Sequence, residues 1–107
     1  MLEKSKRRLM LEASLADAPS DAFLRYGLAM QCLREGDVAE GRARLRVLIE
    51  DDADGVVAAY QQLGQSFVES GEQSEAFETL QEGIRKAKEL GDLHAAGEME
   101  GLLLTLG

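Results

Sequence analysis

The chain holds one cysteine, Cys32, so no disulfide can close within it. It holds one histidine, His94, one proline, Pro19, and no tryptophan. With a single imidazole and a single thiol, no nucleophile–base pair stands out. There is no glycine-rich phosphate loop, Ser/His/Asp set or zinc pattern either. Catalysis is therefore not expected, and no catalytic residue or cofactor is assigned. His94 and Glu98 are four residues apart on a candidate helix, but two ligands do not make a site where zinc takes three or four. Asp51-Asp52-Ala53-Asp54 lacks the spacing and closing glutamate of a calcium loop and reads as a turn with a helix cap. No metal site is expected.

Long apolar runs are missing too. The longest is Val56-Val57-Ala58-Ala59-Tyr60, against the roughly 20 residues a membrane span needs. The basic start, Lys4 to Arg8, is followed only by Leu9-Met10-Leu11 before Glu12. That is not a secretory leader, so a cytoplasmic protein is expected. Positive charge is scarce in the second half. Residues 1–53 carry 9 Lys/Arg against 10 Asp/Glu, while residues 54–107 carry 3 against 10, and the whole chain is at −8. An acidic surface repels nucleic-acid phosphates and anionic lipid, so neither nucleic acid nor membrane is an expected partner. Arg42, Arg44 and Arg46 alternate, which splays them to different sides of a helix rather than into one basic row.

β-branched residues are few and no alternation is sustained, which argues against strands. What is present is helix chemistry: 45% apolar residues, 30% charged, with Ala, Leu, Glu and Gln prominent. A chain of 107 residues is expected to form a single domain, 1–107. Pro19 ends one helix near Asp17, and Ser20 or Asp21 can cap the next. Further breaks fall at Glu35-Gly36-Asp37, the Asp51–Gly55 cluster, Ser70-Gly71-Glu72 and Leu90-Gly91-Asp92. Asp37 with Glu40 has the spacing of a capping box. The breaks predict six helices over about 2–16, 21–35, 38–51, 55–70, 73–90 and 93–106. Short links predict antiparallel neighbours.

In the third helix Val38, Gly41, Leu45, Leu48 and Ile49 share a stripe. In the fifth, Ala76, Phe77, Leu80, Ile84 and Ala87 do so, with Glu75, Glu78, Glu82, Arg85, Lys86 and Glu89 outside it. The second helix has two apolar rows. Leu24, Leu28 and Cys32 form one; Phe23, Tyr26, Met30 and Leu33 form the other. A helix apolar on two faces must bury both or offer one to a partner.

One pattern occurs twice. Leu28-Ala29, Cys32 and Gly36-Asp37 are echoed by Leu63-Gly64, Phe67 and Gly71-Glu72, each 35 residues on. With Tyr60 before Leu63-Gly64, and Ala76 and Leu80 after Phe67, the second copy resembles the tetratricopeptide repeat. That signature is an aromatic, Leu-Gly, Tyr, then Ala and Phe. The first copy departs from it: Arg25 stands for the aromatic, Ala29 for the glycine, Cys32 for the tyrosine and Gly41 for the alanine. Pro19 sits where the family places the proline between units, so the first helix looks like the end of a preceding unit. The last helix looks like the start of a following one, with Met99, Leu102-Leu103 and Leu106 at the aromatic, Leu-Gly and tyrosine positions. The interval there, Leu63 to Leu102, is 39 residues.

The resemblance implies an all-α, right-handed superhelical stack of antiparallel helix hairpins, with two full units and flanking halves. It implies a protein-interaction module whose concave groove is lined by Phe23, Tyr26, Met30 and Leu33, then Ala58, Gln61, Gln65 and Val68, then Glu100 and Leu104. The family's carboxylate clamp of Lys, Arg and Asn is not matched, since Tyr26, Met30, Gln61 and Gln65 stand there. A peptide or partner helix with apolar anchors suits this lining better. Other readings stay open. Phe23, Tyr26 and Met30 could be core, covered by the first helix or by a second copy in a homodimer; Gln61 and Gln65 could be a solvated face. An enzyme or metal binder built on clustered acids is the remaining alternative.

Overall fold

The computed structural model describes residues 3–106, and these are all-helical, with no strand among them. Six helices run in order: α1 (Lys6–Asp17), α2 (Ala22–Arg34), α3 (Val38–Glu50), α4 (Val56–Glu69), α5 (Gln73–Glu89) and α6 (Leu93–Leu103). The chain divides after Gly55 into two compact units, α1–α3 and α4–α6. In the first, α2 packs against α1 and α3; in the second, α5 packs against α4 and α6, and α6 also touches α4.

The expected boundaries hold to within a residue or two except at the two ends. The first helix was expected from residue 2, which lies outside the described residues. It starts at Lys6 because Ser5 is extended (φ −68°, ψ 162°) and its hydroxyl accepts the Arg8 N–H at 3.0 Å. The last helix stops at Leu103 rather than 106. There the Thr105 hydroxyl donates to the Leu102 carbonyl at 2.6 Å, and the Thr105 and Leu106 N–H groups reach back only three residues.

The hairpin turns share one geometry. Gly36 lies at φ 83° and Gly71 at φ 76°, a left-handed region where a Cβ is strained. Behind each glycine the next N–H closes the helix end, Asp37 onto the Cys32 carbonyl and Glu72 onto the Phe67 carbonyl, both at 2.9 Å. The Leu90-Gly91-Asp92 turn repeats the pattern, with the Asp92 N–H on the Ala87 carbonyl at 2.7 Å. Asp21 and Asp92 accept from the third residue onward, capping α2 and α6. The capping box read at Asp37 and Glu40 does not form. Asp37 makes no side-chain cap bond because its carboxylate takes the Arg8 guanidinium; Glu40 pairs with Arg44 at 2.8 Å.

Both hairpins bury corresponding positions. Leu28, Ala29, Cys32, Gly41 and Leu45 in the first match Leu63, Gly64, Phe67, Ala76 and Leu80 in the second, and all are buried. Close approach depends on the small members. A Cβ built on Gly64 would lie 2.4 Å from Leu80 Cδ2, and one on Gly41 would lie 2.6 Å from Leu33 Cδ2. At Gly83 the same atom would meet Met99 Sδ at 2.7 Å and Tyr60 Cβ at 2.8 Å, so α4, α5 and α6 converge there. The stripes read in α3 and α5 are buried along their centres. Their edges, Val38 and Phe77, are exposed.

Candidate functional site

The candidate site is the outward face of the first helix of each hairpin. Phe23, Tyr26 and Met30 recur at three and four residues, so they share one face of α2. Phe23 is 84% exposed at the start of the helix; Tyr26 and Met30 are half-buried. Leu33, the fourth member of that row, is also half-buried, but its branched end lies over Gly41 of α3. It is part of the hairpin's own packing.

In the second unit Gln61, Gln65 and Val68 share a face of α4 and are half-buried, as is Ala58. Gln65 donates to Glu69 one turn on at 3.0 Å, and Gln61 reaches Glu98 of α6 at 3.5 Å. Glu100 is exposed, 3.9 Å from Lys88. Leu104 follows α6 and is 87% exposed. Gln65 thus makes an ordinary hydrogen bond within its helix, Gln61 only a long one to α6, and both residues remain half-exposed.

Titratable chemistry is sparse. Cys32 is fully buried, and burial pushes its thiol up. Burial likewise pushes the Tyr60 phenol up, with Glu82 adding to it. His94 lies 3.5 Å from Glu98, both well exposed. Among the described residues no three His, Cys, Asp or Glu side chains gather to hold a metal ion. No helix among them is long and apolar enough to cross a membrane.

The polar centre that sequence reasoning missed is Arg8. It belongs to the basic start Lys4 to Arg8, yet it is 3% exposed. Its guanidinium donates to Asp37 at 2.9 Å and lies 3.8 Å from both Glu35 and Glu12. Burial opposes its charge, but the Asp37 bond and the surrounding carboxylates outweigh that and keep it protonated. Ser5 donates its hydroxyl to Glu35, as Gln31 does its amide at 2.7 Å. Those two bonds, then the Ser5 N–H and Arg8, hold the Glu35 carboxyl below its ordinary range against some desolvation. Gln31, between Met30 and Cys32 in the sequence, is buried within this cluster. No sequence signal pairs Arg8 with Asp37 across 29 positions. No family model matches the chain, and no curated protein or solved structure matches it either.

Proposed function

We propose that the chain is a non-catalytic protein-interaction module of tetratricopeptide type, acting in the cytoplasm. In this reading the hairpins stack with a right-handed twist, and the outward faces of α2, α4 and α6 bind an extended or helical peptide. Phe23, Tyr26 and Met30 anchor apolar side chains. Gln61 and Gln65 pair with peptide backbone, and Val68, Glu100 and Leu104 continue the face. The single observation that carries the reading is the matched burial of the two hairpins at a 35-residue register, from Leu28 and Leu63 to Leu45 and Leu80. Phe23 adds to it, because burying a large apolar side chain contributes about 1.5–3 kcal/mol that the isolated chain forgoes. A charge of −8 favours a protein partner over nucleic acid or an anionic membrane.

Peptides selected on the full chain from a random library, then titrated with amide shifts monitored, test this. The expected result is perturbation centred on Tyr26, Met30, Gln61 and Gln65, with Tyr26→Ala plus Met30→Ala weakening binding by about tenfold or more. Perturbation confined to α3 and α5, or affinity unchanged in the double variant, would overturn it.

A further inference from the structure

Two surface clefts lie apart from the faces described above, one in each unit. In the first unit, Lys6, Arg7, Met10, Leu11 and Ser14 of α1 border a cleft of about 480 Å³. In the second, Gln73, Ser74, Phe77 and Glu78 of α5, with Leu106, border one of about 330 Å³. Each exposes one large apolar side chain, Met10 at 63% and Phe77 at 51%, beside a half-buried leucine. Their charges are opposite. Lys6 and Arg7 edge the first; Glu78 edges the second, with Glu82 one turn on. Lys6, Arg7 and Glu78 form no ion pair among the described residues. The asymmetry extends to the sequence: four cations fall within the first eight residues, whereas residues 54–107 carry 10 acids against 3 bases.

We propose that these clefts are the two sides of one contact between copies of this chain. The α1 face of one copy docks head to tail on the α5 face of another. Met10 lies against Phe77, a favourable sulfur–aromatic pair. Lys6 and Arg7 face Glu78 and Glu82, which sets orientation and speeds encounter. The occupant is a second copy because the chain itself carries both the basic apolar face and its acidic apolar complement. The contact is heterologous, joining unlike patches, so it either closes a ring or grows with concentration. It does not use Phe23, Tyr26 or Met30, and it stands or falls apart from the peptide-binding reading.

Sedimentation velocity of the full chain over a dilution series tests it. Wild type is expected to self-associate reversibly at low salt and to weaken as sodium chloride screens the pairs. Lys6→Glu plus Arg7→Glu, and separately Glu78→Lys plus Glu82→Lys, are each expected to weaken association by about tenfold or more. Mixed in equal amounts, the two variants restore it, because each reversed face then meets its opposite. Circular dichroism confirms that both remain helical. Wild type monomeric throughout the series, or a mixture no more associated than its components, would overturn the proposal. So would an association that survives both reversals but is lost in Phe23→Ala, since that places the contact on α2.

Discussion

Gly64 and Gly97 are both helical glycines, yet alanine is expected to act oppositely at the two. At Gly64 the added methyl meets Leu80 Cδ2 at 2.4 Å and Cγ at 2.8 Å, and Leu80 is fully buried with nowhere to retreat. Overpacking of this kind costs about 1–3 kcal/mol, against about 1 kcal/mol gained in helix propensity. Gly64→Ala should therefore lower the urea midpoint, with a net loss of about 1 kcal/mol. At Gly97 nothing lies within 4 Å of the new atom, so Gly97→Ala should raise the midpoint through a stability gain of about 0.5–1 kcal/mol. The reverse order would mean the α4–α5 contact is looser than described. Cys32 makes a second residue-scale test. Burial keeps its thiol protonated at neutral pH, so a thiol reagent should fail on the native chain and succeed once urea unfolds it. Rapid native modification would show that the α2–α3 interior opens readily.

Among the helices, α1 is attached in a different way from the rest. Arg8 is the only fully buried residue in it, Leu11 and Leu15 are half-buried, and Leu11 Cδ2 would lie 3.8 Å from a Cβ on Gly27 of α2. Its deepest contacts are polar: Arg8 to Asp37 and Glu35, with Ser5 before the helix to Glu35. Arg8→Met should raise hydrogen exchange across α1 by about tenfold or more, leaving α2 and α3 protected. Equal loss in all three helices would make Arg8 a core residue rather than a clasp. Acid should act in the same direction. Because the Glu35 carboxyl is held below its ordinary value, its contribution is complete above the ordinary carboxylate range and is lost as pH falls through the lowered value. Protection of α1 against exchange, taken relative to the intrinsic amide rate at each pH, should thus fall in acid before the rest of the unit opens, and Glu35→Gln should show that loss already at neutral pH. The turns were legible in the sequence because a glycine with an acid behind it has a local physical cause, the left-handed helix end. The matched positions Leu28 and Leu63 were legible because burial follows from periodicity. Arg8 and Leu33 were not, since periodicity gives a face and says nothing of a carboxylate 29 residues away or a methyl gap at Gly41. The end of α6 was missed because the Thr105 hydroxyl competes for a helix carbonyl, and no composition rule marks that.

Under the proposed peptide binding, charge across the whole molecule decides more about the ligand than any one side chain. The chain stands at −8, and seven of those charges belong to residues 54–107, where 10 acids face 3 bases. The candidate faces on α2 and α4 carry almost no charge of their own, so they can supply apolar and amide contacts but cannot choose the sign of a ligand. The surrounding field makes that choice. Two peptides with the same apolar anchors, one flanked by lysines and one by glutamates, should therefore differ in affinity by about tenfold or more at low ionic strength, the basic one binding tighter. Since the acids are exposed and screened by salt, the difference should shrink as sodium chloride rises, and it should do so mainly through the association rate. Isothermal titration at two salt concentrations, with stopped-flow rates, separates these effects. Equal affinity for both peptides at low salt would mean that ligand choice rests on local contacts at Tyr26, Met30, Gln61 and Gln65 alone.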